Sequence, residues 1–187
     1  MKRLLFTLSI VLWVLISCTP QPESPIQSLR IRAEKGDVSA QMSLATAYQE
    51  GDGIEKNYEE AFKWYLRAAE SGDKHALTIV GGAYKIGKGV QKDDKMAFEY
   101  FMRAALKNER ISQVQVGLYY YMGKGNIEID LKEASYWFYL SILNKINDEE
   151  EYKDFGMVFK NIFNRLSKQE QDEIKKRAET FFKTINS

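Results

Sequence analysis

The chain has 187 residues, 44% hydrophobic and 28% charged, with 27 basic side chains against 26 acidic ones and a formal charge of +1. A near-neutral balance without a basic block argues against nucleic acid as a partner. One cysteine, Cys18, and one histidine, His75, exclude an intramolecular disulfide and give no ligand set for zinc.

In chain order, Met1-Lys2-Arg3 is a short basic start, and Leu4 to Ile16 is an apolar run broken only by Thr7 and Ser9. That pattern is a secretory signal peptide, since a membrane-spanning helix needs about 20 apolar residues. Its end, Leu15-Ile16-Ser17-Cys18, resembles a bacterial lipobox. The resemblance implies cleavage before Cys18, a thioether-linked diacylglycerol on its thiol and an acylated amine, enough chains for stable anchoring. Thr19 stands where an Asp would signal inner-membrane retention, so the implied destination is the outer membrane, facing the periplasm. Loss of Lys2 and Arg3 takes the basic count from 27 to 25 against 26 acidic residues, a formal charge of −1.

Residues 18–27 follow as a tether holding all three prolines, Pro20, Pro22 and Pro25. No proline occurs after it, and apolar residues recur at three-and-four spacing, which predicts helices throughout. Leu29, Ile31 and Ala33 indicate a partial leading helix.

From here one pattern returns every 36 residues. Gly36-Asp37 becomes Gly72-Asp73 and Asn108-Glu109; Ala40, Leu44 and Tyr48 become Ala76, Val80 and Tyr84, then Ser112, Val116 and Tyr120. Gly51-x-Gly53 returns as Gly87-x-Gly89 and Gly123-x-Gly125. Ala61, Trp64 and Ala68 return as Ala97, Tyr100 and Ala104, and one residue late as Ala134, Trp137 and Ser141. A period of roughly 20 to 50 residues marks a stacked repeat architecture. Each copy is a helix pair: Val38 to Gln49 with Tyr58 to Ser71, Lys74 to Ile86 with Lys95 to Lys107, and Arg110 to Met122 with Leu131 to Asn144. Asp37 is an N-cap candidate, and the first glycine of each pair suits a left-handed helix end.

The chain then predicts a helix from Asp148 to Ser167, with Tyr152, Phe155, Val158, Phe159, Ile162 and Phe163 on one stripe. Ser167-x-x-Glu170 is a capping box that opens a last helix burying Ile174, Ala178, Phe181, Phe182 and Ile185. These two helices suit the end unit a solenoid needs. The resulting organisation is a signal peptide over 1–17, a tether over 18–27, a solenoid over 28–146 with repeats at 36–71, 72–107 and 108–144, and capping helices over 147–187.

The string Gly-Asp-x-x-Ala-x-x-x-Leu-Ala-x-x-Tyr-x-x-Gly-x-Gly, followed by Asn57-Tyr58-x-x-Ala61-x-x-Trp64-Tyr65-x-x-Ala68-Ala69, resembles the Sel-1-like repeat family of the tetratricopeptide-like superfamily. The resemblance covers about 35–146. It implies an all-α, right-handed superhelical solenoid of antiparallel helix pairs, usually with an adaptor or assembly role, and the reading of this chain expects no catalysis and no cofactor. Asn126 departs from the usual Val or Ile, and Ser141-Ile142 from the Ala pair, which weakens the expected packing of the third unit.

Several motifs that look chemical are explained by the repeat. Gly82 to Lys88 approximates a phosphate-binding loop, but Gly89 follows where Ser or Thr is needed and no strand precedes it, so no nucleotide is expected. Ser71-x-x-Lys74 matches the nucleophile motif of β-lactam enzymes without its partner motifs or the paired cysteines of the family branch described as acting on β-lactams. Glu149-Glu150-Glu151 complements a helix dipole.

Subtracting the repeat leaves the stripe opposite each core line: Ser39, Ser43, Thr46, Glu50; His75, Ile79, Gly82, Ile86; Ile111, Gln115, Leu118, Met122. In superhelices of this type the first helices line the concave face. Ile79, Ile86, Leu118 and Met122 are therefore expected to give apolar contacts to a protein or peptide, with Glu50, His75 and Gln115 setting polar specificity. Ser43 and Thr46 lie beside them, and Tyr119 and Tyr121 add amphipathic rings. An equal alternative has Leu118 and Met122 packing on the C-terminal helices. The competing functions are a β-lactam or peptidoglycan hydrolase and non-catalytic attachment to the cell wall.

Overall fold

The computed structural model describes residues 24–144 and 153–186. The signal segment, Cys18, the tether up to residue 23, Glu149-Glu150-Glu151 and Tyr152 lie outside the described residues, as does the side chain of Phe155. Among the described residues every regular element is an α-helix. They are α1 (Pro25–Glu34), α2 (Val38–Glu50), α3 (Tyr58–Glu70), α4 (Lys74–Ile86), α5 (Asp94–Ala105), α6 (Arg110–Met122), α7 (Leu131–Leu143), α8 (Lys153–Phe163) and α9 (Lys168–Ile185). From α1 to α8 each helix packs on its neighbour in the chain, and α9 folds back on α7. The result is an all-α solenoid of helix pairs.

Local chemistry sets the boundaries. Asp37 and Asp73 accept from the amides of Ala40 and Ala76 at 3.0 and 2.7 Å. Asn57, Asp93 and Asp130 cap α3, α5 and α7 in the same way. Gly51, Gly87 and Gly123 end α2, α4 and α6 with φ of 80°, 76° and 66°, a region that a Cβ disfavours. The loop after each is tied back to the tyrosine column: the amides of Asn57, Asp93 and Asp130 donate to the carbonyls of Tyr48, Tyr84 and Tyr120 at 2.8, 2.9 and 3.0 Å. The second glycine has a different task. A Cβ on Gly125 would stand 2.7 Å from the carbonyl oxygen of Asp94, and one on Gly89 would collide with that of Tyr58, so each loop rests on the first turn of the preceding repeat's second helix.

The third copy departs as its sequence does. Asn108 takes the left-handed conformation in place of glycine, with φ of 59°, and Glu109 starts α6 without a side-chain cap. Asn126, with φ of 63°, adds a second left-handed residue after Gly125 and absorbs the longer loop. Ser141, in the alanine column, is fully buried, and its hydroxyl donates to the carbonyl of Phe138 at 2.7 Å. That bond answers the polar group which the Ala replacement introduces.

Most expected helix limits hold within one or two residues, α5 running Asp94–Ala105 where Lys95 to Lys107 was expected, and two differ by more. Pro25 to Gln27, assigned to the tether, form the first turn of α1, with Ser24 as N-cap and proline at the first helical position, where its missing N–H costs nothing. The penultimate helix ends at Phe163 instead of Ser167, because Ser167 is the N-cap of α9 and completes a capping box with Glu170. Phe163, Ile174 and Ala178 are buried with Trp137 and Leu140, so the last two helices cover the open end of the core.

Candidate functional site

Among the clefts on the described residues, two lie in the seam between the second helix of one unit and the first helix of the next. The first, of about 650 Å³, is lined by Pro25, Ile26 and Leu29 of α1, by Ser43, Thr46, Ala47 and Glu50 of α2, and by Asp52 and Gly53 of the loop. The second, of about 180 Å³, is lined by Ala61, Phe62 and Tyr65 of α3, by Ile79, Gly82, Ala83 and Ile86 of α4, and by Gln49, Tyr58 and Lys88. A shift of 36 residues superimposes the lists: Ile26 on Phe62, Leu29 on Tyr65, Ala47 on Ala83, Glu50 on Ile86 and Asp52 on Lys88. They are one structural position used twice.

The equivalent third seam is filled. Where Ala47 and Ala83 leave space, Tyr119 inserts its ring between α5 and α6, 5.7 Å from Phe98 and 6.2 Å from Phe101. Tyr119 is 1% exposed, and its hydroxyl donates to Asp94 Oδ1 at 3.2 Å. Burial, followed by the charge of Asp94, pushes its ionisation far above the ordinary tyrosine range. Tyr119 is therefore a core residue, a correction to its expected place on the groove. Leu118 also faces inward, against the cluster of Ala134, Phe138 and Ile162. Leu118 stays half-buried, with Phe138 of α7 and Ile162 of α8 on its inner side.

The other expected positions divide by location. Ser43, Thr46 and Glu50 line the first cleft and Ile79 and Ile86 the second. Thr46 Oγ1 sits 3.1 Å from the Tyr65 hydroxyl, Ser43 donates to the Ser39 carbonyl, and Glu50 accepts from Gln49. Ile86 is 67% exposed, a large area for an aliphatic side chain in the middle of a repeat. Met122 is exposed at the same register, one repeat on. Gln115 is engaged, accepting from Lys85 Nζ at 2.8 Å; burial, followed by the like charge of Lys124, lowers the Lys85 pKa. His75 is exposed with Nδ1 3.3 Å from Glu109, whose carboxylate also lies 3.8 Å from Lys74. His75 thus belongs to an inter-repeat contact away from both clefts.

Sequence reasoning missed the α1 wall and the rim residues Asp52, Tyr58 and Lys88. The period itself could have found the wall, since Ile26 and Leu29 stand 36 residues before Phe62 and Tyr65. Asp52 and Lys88 were hidden because loop residues carry no helical periodicity, and Tyr58 because it stands at the first position of α3, off the core stripe.

The motifs of possible enzymes are committed elsewhere. Ser71 Oγ donates to the Arg67 carbonyl at 3.1 Å as α3 ends, while Lys74 points to Glu109. Gly82 lies inside α4 and Gly87 caps it, so the phosphate-loop string has no strand before it.

Comparison with known proteins agrees with this architecture. The Sel1 repeat family model matches residues 38–73, 75–109 and 111–144. The structure is similar to the crystal structure of a Sel1 repeat protein from Oxalobacter formigenes, with 35% identity, a TM-score of 0.60, and coverage of 68% of this chain and 93% of that one. It is also similar to c5321, a protective antigen present in uropathogenic Escherichia coli strains and displaying an SLR fold, at 26% identity and a TM-score of 0.50. That match covers 91% of this chain but only 44% of the antigen. No curated protein matches the chain.

Proposed function

The chain belongs to the Sel1-repeat family, whose repeats generally mediate protein–protein interaction, and on that premise we propose that it is a non-catalytic scaffold binding a protein or peptide along its concave face. The observation that carries this reading is the repeated cleft with Ile86 exposed on its rim. Exposed aliphatic area beside a shaped depression is what a partner's side chain can desolvate. The scaffold is lipid-anchored through Cys18 in the bacterial envelope, a part of the proposal supported by the lipobox-like Leu15-Ile16-Ser17-Cys18.

A photo-crosslinking residue at position 86 tests the groove in intact cells, with the same residue at the exposed Lys63 on α3 as control. Adducts at 86 and none at 63 are expected; equal labelling, or labelling at 63 alone, would overturn the proposal. Mass spectrometry of the mature protein checks the anchor, which fails if Cys18 is unmodified. Turnover of a chromogenic β-lactam, removed by Ser71→Ala, would replace the scaffold reading with a hydrolase.

A further inference from the structure

The two clefts share a backbone position but carry opposite charge. In the first, Ile26, Leu29 and Ala47 make an apolar floor, and the rim holds Glu50 and Asp52, both exposed. In the second, Phe62, Ile79 and Ala83 make the floor, Ile86 replaces Glu50, and Lys88 replaces Asp52. The Lys88 ammonium lies 4.7 Å from the ring centre of Tyr58, and Lys56 Nζ lies 5.1 Å from the same ring. Lys88 is thus the cation lining the smaller cleft, and Lys56 lies outside that lining, on the same Tyr58 ring and within the field of Glu50. Tyr119 closes the third seam, so the row has two positions.

We infer that this row binds an extended segment of a partner protein carrying a basic residue for the first cleft and, about three residues away, an apolar residue followed by an acidic one for the second. The inference rests on the groove reading above and adds to it the chemistry and length of the occupant. The roomier cleft takes a Lys or Arg, whose stem lies on Ile26 and Leu29 while its head meets Glu50 and Asp52. The smaller one takes a branched aliphatic side chain against Ile79 and Ile86, and the neighbouring carboxylate meets Lys88. The first helices of successive repeats touch directly, as Thr78 with Ser112 at 2.7 Å and Lys85 with Gln115 at 2.8 Å show, so equivalent points stand one helix packing, about 8–10 Å, apart. An extended chain advances about 3.3 Å per residue, which gives the spacing.

The test uses fluorescence polarisation with labelled decapeptides of Thr and Ser carrying Lys at the third place and Leu-Glu at the sixth and seventh. A second probe carries Glu for Lys, and a third carries Leu-Lys for Leu-Glu. At low salt the first probe should bind about tenfold more tightly than either of the others, a difference that shrinks as salt rises. The double variant Glu50→Lys, Asp52→Lys should come to prefer the second probe, and Lys88→Glu the third, with unchanged circular dichroism. Equal binding of the three probes, or charge-reversed proteins that keep the original ranking, overturns the inference. If Ile86→Asp still abolishes binding in that case, the groove survives without its charge assignment; if Ile86→Asp changes nothing, the groove falls too. Failure of every probe to bind also overturns the inference, and crosslinking at position 86 then decides the groove by itself.

Discussion

The ring of Phe101 lies on the backbone of Gly81, its Cδ1 2.8 Å from where a Cβ would stand. Phe138 is pressed on Gly117 in the same way one repeat later. Gly81→Ala or Gly117→Ala should therefore destabilise the protein by about 1–3 kcal/mol through overpacking. Gly82, the next residue along α4, has no atom within 4 Å of its Cβ position, so Gly82→Ala should stabilise by about 0.5–1 kcal/mol. Urea unfolding followed by circular dichroism checks the opposite signs at adjacent glycines.

Tyr119 closes a seam that Ala47 and Ala83 leave open. Tyr119→Ala should cost about 3–5 kcal/mol, whereas Tyr119→Phe loses only the bond to Asp94, about 0.5–1.5 kcal/mol. The converse change, Ala83→Tyr, should fill the second cleft and remove partner binding with the helical signal intact. Thermal melts and crosslinking yields from position 86 read these effects.

Ile86 and Leu118 were expected to serve one surface, and the structure separates them. Ile86→Asp should stay within about 0.5 kcal/mol of the parent and abolish partner capture. Leu118→Asp places a carboxylate against Phe138 and Ile162 and should cost more than about 3 kcal/mol. A stable Leu118→Asp protein that fails to capture its partner would show that Leu118 faces the groove after all.

Glu170 binds α9 to α7 and caps it. Lys132 at 2.7 Å, first among causes, and the Ser167 amide and hydroxyl hold its pKa down to about 2, from an ordinary 4.5. A depressed folded pKa means that this contribution is full above 4.5 and is lost progressively as pH falls toward 2. Between pH 7 and 5 the docking of α9 should be insensitive to acid through this group. Hydrogen exchange in α9 should accelerate only below pH 4.5, and Glu170→Gln should already show the faster exchange at pH 7.

Most helix limits were legible because caps are local. An Asp or Asn that bonds an amide two or three residues on, and a glycine with positive φ, act within one turn of chain. The tyrosine and alanine columns were legible because a period averages over three copies. The candidate site was only partly so. Ser43, Thr46, Glu50, Ile79 and Ile86 line the clefts, Gln115 bonds Lys85 of the preceding repeat, His75 stays exposed beside Glu109, Leu118 is half-buried, and Tyr119 belongs to the core.

The amino-acid sequence by itself determined the repeat, its helix pairs and their ends, since spacing, capping and backbone freedom are properties of short stretches. Only the tertiary structure decided which exposed-looking side chains stay exposed. Burial depends on what the next helix brings: α5 offers Phe98 and Phe101 to Tyr119, and α7 and α8 offer Phe138 and Ile162 to Leu118. At the equivalent seams Ala47 and Ala83 are too small to fill the space between helices, and there the clefts remain.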